Sequence, residues 1–79
     1  MQDFILSVTY AIEDAALGES VNARLFLTES IGSTLSESDG MATIEAYFDT
    51  AQARNAALAD LGDLAGIELH TIERERIDW

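Results

Sequence analysis

The alternation of side chains from Phe4 to Ile12 constrains the fold of this chain more than any other feature. Every second residue in this run is large and apolar: Phe4, Leu6, Val8, Tyr10 and Ile12. The residues between them are Ile5, Ser7, Thr9 and Ala11. Such alternation is typical of a β-strand with one strongly apolar face, because successive side chains of a strand point to opposite sides. The run predicts a first strand.

The same alternation returns from Met41 to Phe48. One predicted face carries Ala42, Ile44, Ala46 and Phe48, and the other carries Thr43, Glu45 and Tyr47. Asp39-Gly40 before it is a turn dipeptide, so residues 33–48 predict a hairpin. Its first arm, about Ser33 to Glu37, is short and polar, as edge strands tend to be.

Two segments have helical spacing instead. Leu17, Val21, Leu25 and Thr28 predict one side of a first helix that ends before Gly32. Thr50 is a predicted N-cap for a second helix with a stop at Gly66. The stripe of that second helix consists of Ala53, Ala57, Leu61 and Leu64.

Residues 67–76 predict the last strand, with β-branched and charged side chains. Ile67, Leu69 and Thr71 would lie on one side, and Glu68, His70 and Ile72 on the other. The "ERER" run at residues 73–76 alternates in sign, which indicates either an exposed strand end with cross-strand salt bridges or a docking segment.

The resulting order, β-α-β-β-α-β, predicts a ferredoxin-like α+β fold in one small domain spanning residues 1–79. This fold has a four-stranded antiparallel sheet with both helices on one face. The other face is expected to be open and to carry a mixed surface suited to a partner. Its residues would include Ile5, Ser7, Thr9, Thr43, Glu45 and Tyr47. The fold by itself names no function.

The charge balance disfavours nucleic acids and anionic membranes as partners. Fifteen Asp and Glu residues stand against four Arg and no Lys, for a net charge of −11. Such a surface repels phosphate groups, and it either steers the domain toward a basic protein or reflects a generally acidic proteome. RNA binding is further disfavoured because "MATIEAYF" lacks the basic residue and glycine of an RNP1 strand.

The sequence has no cysteine, no signal-peptide pattern and no apolar run of membrane-spanning length, and we expect a cytoplasmic protein. Its glycines stand singly rather than in a phosphate-binding loop. His70 is the lone histidine, and Glu37, Ser38 and Asp39 lack the spacing of a calcium loop. We therefore predict no catalytic, cofactor or metal site in this chain.

The order of these segments resembles the N-terminal domain of the PrmA-type ribosomal-protein methyltransferases. The resemblance covers essentially all 79 residues and rests on "TESIGSTLSE", on "EAYFDT" after the hairpin turn, on the Ala-rich helix and on "IERERIDW". Asp78-Trp79 resembles the family's "DW" at the entrance to a helical linker. This chain has Ile31-Gly32 where the family prefers Gly-Ala.

The resemblance implies a monomeric, non-catalytic N-terminal module of a longer protein methyltransferase. Its role would be to recognise and position a basic protein substrate, the eleventh protein of the large ribosomal subunit. S-adenosylmethionine would bind a further domain, with Asp78 and Trp79 anchoring the linker. The residues of a strand that share one face alternate along the chain, and we call this strand parity. Applied to the open face, strand parity favours as substrate-binding residues Ser7, Thr9, Thr43, Glu45 and Tyr47.

Two other functions remain open. An ACT-like regulatory domain has the same topology, pairs its sheets edge to edge in dimers and responds to a small molecule. A glycine-bearing loop between the first strand and the first helix would favour it, but "AIEDAALG" places acids there, with Gly18 nearby. The other is a free-standing protein-interaction module.

Overall fold

A computed structural model describes residues 2–28 and 30–75 of the chain. The elements, in chain order, are β1 (Gln2–Ala11), α1 (Ala15–Phe26), β2 (Gly32–Ser38), β3 (Met41–Phe48), α2 (Ala51–Leu61) and β4 (Glu68–Glu75). The strands form one sheet in the order β2-β3-β1-β4, and every neighbouring pair is antiparallel. The predicted ferredoxin-like fold is confirmed.

The core lies between the helices and one face of the sheet. Leu6 pairs with Ala46 and Val8 with Ile44, so the predicted apolar faces of β1 and β3 coincide. The helices add Val21 and Leu25 from α1 and Ala57 and Leu61 from α2. The buried cluster consists of Leu6, Val8, Tyr10, Val21, Leu25, Ala42, Ile44, Ala46, Phe48, Ala57 and Leu61. The odd-numbered residues of β1 therefore point to the opposite, open face.

Helix α1 begins at Ala15, where the side chain of Asp14 accepts a hydrogen bond from the Leu17 N–H at 3.1 Å. It ends at Phe26, so Thr28 lies beyond the helix rather than at the end of its apolar stripe. Thr28 Oγ1 instead donates to the Leu25 carbonyl at 2.6 Å. This bond satisfies one of the carbonyls that a helix leaves free at its C-terminus.

Gly18 lies within α1 because the helix passes close to a ring of β1. A Cβ atom at this position would stand 3.0 Å from Cε2 of Tyr10, closer than carbon atoms pack. The glycine therefore brings helix and sheet together and is not part of the connection between β1 and α1.

Helix α2 begins as predicted, since the Thr50 side chain accepts a hydrogen bond from the Ala53 N–H at 3.1 Å. The predicted end at Gly66 is wrong, because the helix finishes at Leu61 with Gly62 as its C-cap. Leu64 follows in a turn and still packs against the core. Gly66, with a φ of 87°, instead sits in the turn that leads into β4.

The hairpin between β2 and β3 turns at Asp39 and Gly40, which have φ values of 54° and 77°. Both residues tolerate this left-handed backbone, which two-residue hairpin turns of this kind require. All residues of β2 are exposed, as predicted for an edge strand. In β4, Leu69 pairs with Val8 on the helix side and His70 with Ser7 on the open side, which confirms the predicted parity. In the described ranges, no helix is long and apolar enough to span a membrane.

Candidate functional site

The open face of the sheet brings together all five residues predicted to bind a protein substrate. Three cross-strand rows run across β4, β1 and β3 in that order. They are Ile72, Ile5 and Tyr47; His70, Ser7 and Glu45; and Glu68, Thr9 and Thr43. Ser7, Thr9, Thr43, Glu45 and Tyr47 thus form one contiguous patch, although their binding role stays a prediction.

The middle of this face is more enclosed than expected for a bare sheet surface. Ile5 has 0% exposure and Ser7 has 7%. Both lie on the central strand β1, where each has a cross-strand neighbour on either side. Tyr47 and Ile72 flank Ile5, and such neighbours lie close enough to shield a side chain. A partner would therefore meet the flanking side chains before it met Ile5 or Ser7.

Two polar contacts organise the surroundings of Ser7. Thr9 Oγ1 and Thr43 Oγ1 are 3.1 Å apart and share a hydrogen bond. Arg74 Nη2 lies 3.9 Å from Glu45 Oε2, with the Arg74 side chain 56% exposed. A loose ion pair so open to water contributes little to stability. Glu45 and Arg74 are therefore available to exchange this contact for one with a ligand or partner.

The face keeps the acidic bias of the whole chain. Asp3 and Glu68 join Glu45 on it, since Asp3 is opposite Arg74 and Glu68 is opposite Thr9. In the described strands, Arg74 is the permanent positive charge on this face. Positively charged groups of a partner would be attracted to it.

An open cleft that the sequence analysis did not single out lies where β1 ends and the hairpin turns. It is lined by Ala11, Ile12, Glu13, Asp39, Gly40 and Met41. The Ile12 N–H donates to the Gly40 carbonyl at 3.0 Å, which ties the two loops together. Ile12 and Met41 are both more than a third exposed, at 40% and 38%. The cleft combines two apolar side chains with the carboxylates of Glu13 and Asp39. In the sequence, the predicted Asp39-Gly40 turn is the feature that pointed to this region.

The ion pairs around "ERER" join elements that lie further apart than neighbouring strands. Arg54 on α2 is 8% exposed and donates to Glu73 at 3.2 Å. Its guanidinium also lies 5.5 Å from the ring centroid of Phe4, within cation-π range. Glu73 therefore fastens β4 to α2, while Arg74 reaches Glu45 across β1. These contacts favour a structural role for this run.

The remaining residues that the sequence analysis considered, as metal ligands or as a linker anchor, lie on the sheet and its hairpin turn or outside the described residues. No group of three or more His, Asp and Glu side chains with metal-binding geometry occurs in residues 2–28 and 30–75. His70 lies on the open face between Glu68 and Ile72, as the strand parity indicated. Asp78 and Trp79, predicted to anchor a linker, lie outside the described residues, and so does Arg76.

Comparison with known proteins finds likeness in structure but not in sequence. No protein-family model matches the chain, and no curated protein matches it in sequence. An uncharacterized protein from Thermotoga maritima has a similar structure, with a TM-score of 0.71 and 18% identity, over 92% of this chain and 98% of that one.

Two further solved structures are also similar. The ACT domain of a GTP pyrophosphokinase from Chlorobium tepidum has a TM-score of 0.67 and 8% identity, over 89% of this chain and 96% of that one. A putative PII-like signaling protein from Thermus thermophilus has a TM-score of 0.66 and 10% identity, over 92% of this chain and 86% of that one. At these identities the likeness establishes the ferredoxin-like fold alone.

Proposed function

We propose that this domain is a small-molecule regulatory module of the ACT-like kind. The observation that carries the proposal is the open cleft at the end of β1, which places apolar and acidic side chains beside the connection to α1. The similar folds of an ACT domain and a PII-like signaling protein support it. The proposed role is to change its contacts with a neighbouring domain or protein when the ligand binds.

The cleft favours a ligand with an ammonium group and a short apolar side chain. Glu13 and Asp39 supply negative charge, whereas Ile12 and Met41 supply an apolar surface. An amino acid combines both features. Gly18 does not contribute to this site, because it is buried in α1 against Tyr10. The connection formed by Ile12, Glu13 and Asp14 has no glycine, so the ligand would contact side chains here rather than a glycine-lined backbone.

Thermal unfolding in the presence of each amino acid, and of the amine lacking its carboxylate, tests this proposal. A ligand at about 100 times its Kd stabilises a protein by about 2.7 kcal/mol, which is a rise in Tm of several degrees for a domain of this size. Glu13→Gln and Ile12→Ser should each weaken that rise. Glu19→Gln, an exposed carboxylate on α1, is the matched control and should leave it unchanged.

The proposed regulatory function is contradicted if no amino acid or amine raises Tm at millimolar concentration. An equal rise in the wild type, Glu13→Gln and Ile12→Ser would place the ligand outside the cleft.

A second candidate function is the recognition of a basic protein substrate by a PrmA-type methyltransferase. The clustering of Ser7, Thr9, Thr43, Glu45 and Tyr47 on one acidic face favours it. The domain would hold a lysine-bearing ribosomal protein, while S-adenosylmethionine would bind elsewhere in a longer parent chain.

Titration of the domain with the eleventh protein of the large ribosomal subunit tests this second function. NMR shifts should concentrate at Thr43, Glu45 and Tyr47, and binding should weaken as salt rises. Tyr47→Ala should reduce affinity at least several-fold, because interface aromatics often dominate binding energy. Gln52→Ala, an exposed change on α2, should not. Shifts confined to the helices, or no binding at low salt, would contradict this function.

A further inference from the structure

We infer that the groove between α1 and β2 binds an amphipathic helix of a partner protein, one that carries an apolar stripe and a basic residue. We call this surface the α1–β2 groove and define it by Phe26, Ile31, Leu35 and Glu37. It shares no residue with the ligand cleft and lies on the opposite side of the sheet from the open face. Such a partner is therefore additional to both candidate functions.

The helix layer of the domain ends before it reaches β2. Leu35 pairs with Ile44 and Glu37 with Ala42, so all four side chains point to the side of the sheet that carries the helices. Ile44 and Ala42 are buried, whereas Leu35 and Glu37 are exposed. The helices therefore cover β3 but not β2, which leaves a strip one strand wide without a second layer. Sheet faces are normally stabilised by a layer packed on them.

Exposed apolar side chains line this strip. Phe26 at the end of α1 is 87% exposed, Ile31 just before β2 is 52% exposed and Leu35 is 59% exposed. Phe26 and Ile31 border the same depression, which has a volume of about 430 Å³. Clustered apolar side chains with a polar rim mark sites of protein interaction. An apolar side chain of a partner would fill the depression and be removed from water there.

The position of these side chains fits a helix rather than an added strand. Phe26 belongs to α1, one layer above the sheet, whereas Leu35 belongs to β2 itself. A strand added beside β2 would lie in the plane of the sheet and would leave Phe26 uncovered. A helix beside α1, at the usual interaxial distance of about 8 to 10 Å, would contact both residues. Binding of an amphipathic helix in an apolar groove is a common mode of protein recognition.

The charge of the groove favours a basic helix. Glu37 is the one charged residue of β2. The arginines of the described ranges lie elsewhere, since Arg24 contacts α2, Arg54 contacts β4 and Arg74 lies on the open face. The groove therefore has no positive charge of its own to offset Glu37, in a chain of net charge −11. A lysine or arginine of the partner would be attracted to this carboxylate.

Distances along β2 set the pattern of residues in the partner. Ile31 and Leu35 are four residues apart, or about 13 Å of extended chain, and Glu37 lies about 7 Å beyond Leu35. A helix rises about 1.5 Å per residue. Its two apolar anchors should therefore be about eight residues apart, with the basic residue about four residues beyond the second. These positions lie on roughly the same side of a helix.

Titration with two capped peptides of about 16 residues tests the inference. The matched peptide is Ala- and Gln-rich and carries three leucines four residues apart, with one lysine four residues beyond the last. The scrambled peptide has the same composition without a common face. Amide NMR shifts from the matched peptide should concentrate at the end of α1 and along β2. The scrambled peptide should bind about fivefold more weakly or worse, because it cannot present its leucines together.

Two apolar truncations and one matched control locate the binding site. Phe26→Ser and Leu35→Ser should each weaken binding of the matched peptide about fivefold or more. Both should keep the circular dichroism spectrum of the wild type, because both side chains are exposed. Leu27→Ser is the control. Leu27 is next to Phe26 and 83% exposed, but it lines the openings between α1 and α2, so its loss should leave the affinity unchanged.

An exchange of charges tests the contact with Glu37. A peptide with glutamate in place of its lysine should bind the wild type more weakly than the matched peptide does. Glu37→Lys should reverse this preference. The variant keeps a large negative net charge, so attraction by the whole chain would still favour the lysine peptide. A reversal would therefore report a local contact.

Four outcomes would overturn the inference. They are no binding at about 1 mM peptide, equal affinity for the matched and scrambled peptides, shifts confined to the open face, and equal losses for Phe26→Ser and Leu27→Ser. Light scattering identifies a competing occupant. A dimer that binds no peptide would mean that a second copy of the chain covers the groove, and this too would overturn the inference.

Discussion

Some residues on the two faces of β1 are equally buried, but different parts of the molecule enclose them. Leu6 and Val8 lie beneath the helices and have 0% exposure. Ile5 also has 0% exposure, yet it points to the open face, away from both helices. On the face covered by the helices, which we call the covered face, helix residues enclose the side chains. On the open face, Ile5 has Tyr47 and Ile72 as its cross-strand neighbours. Full burial therefore does not identify the layer to which a residue belongs.

This difference has consequences for packing. A side chain between sheet and helices is surrounded by two layers that cannot both move toward a void. A side chain on the open face has neighbours that are themselves partly exposed, so they can shift toward a gap and water can reach what remains. Truncation should therefore cost more on the covered face than on the open one.

The largest expected effect is that of Phe48→Ala on the covered face. Phe48 is fully buried in the core and is among the largest of the buried side chains. Its truncation should lower the free energy of unfolding by about 3 to 5 kcal/mol. Urea unfolding followed by circular dichroism measures this, and a loss below about 2 kcal/mol would mean that the helices readily collapse onto the cavity.

A matched pair of truncations compares the faces directly. Leu6→Ala and Ile5→Ala both remove a fully buried branched side chain from adjacent positions of the same strand. Both losses should fall within about 2 to 5 kcal/mol, with Ile5→Ala costing less. The same urea experiment decides the order. An equal or larger loss for Ile5→Ala would contradict this difference between the two faces.

Gly18→Ala tests the approach of α1 to the covered face. The added methyl group would stand 3.0 Å from the Tyr10 ring, and such overpacking costs about 1 to 3 kcal/mol, less the gain of up to about 1 kcal/mol from alanine's helix propensity. Gly32→Ala, where a Cβ meets no atom within 4 Å, is the control. In a Tyr10→Leu background, Gly18→Ala should lower Tm by less than it does in the wild type, because the ring that the methyl group meets is gone. An equal loss in the two backgrounds would show that Tyr10 is not the cause.

The smallest expected effect concerns the hydroxyl pair of the open face. Thr43→Val removes one partner of the 3.1 Å contact with Thr9 and should cost about 1 kcal/mol or less. The double variant Thr9→Val/Thr43→Val should be close to neutral, because no hydroxyl is then left without its partner. A double-mutant cycle from urea unfolding measures the coupling. Strictly additive losses would show that the two hydroxyls do not interact in solution.

The sequence predicted the order of elements because each element carries a local signal. The alternation of apolar and polar side chains predicted β1 and β3, the Asp39-Gly40 pair predicted the turn, and Thr50 predicted the start of α2. The end of α2 was misplaced because Leu64 continues the apolar stripe. Leu64 does pack against the core, but from a turn rather than from the helix. The spacing of apolar residues along the chain is the same in both cases.

The candidate surfaces were only partly predictable. Strand parity correctly placed Ser7, Thr9, Thr43, Glu45 and Tyr47 on one face, because parity is a property of a single strand. It did not indicate that Ser7 is buried, which depends on its having a cross-strand neighbour on each side. The cleft between Ile12 and Met41 was also missed, because it joins segments that are distant in sequence.

The sequence by itself determined the types and order of the elements, the apolar sides of β1 and β3 and the acidic character of the chain. These properties depend on residues a few positions apart, and backbone geometry translates them directly into structure. Only the tertiary structure decided that Gly18 serves helix packing and that Arg54 ties α2 to β4. It also decided that, among the described strands, the nearly neutral β2 lies at one edge of the sheet beside exposed apolar side chains. Those features depend on strand register and on which elements become neighbours, and both are set by the joint packing of the whole core.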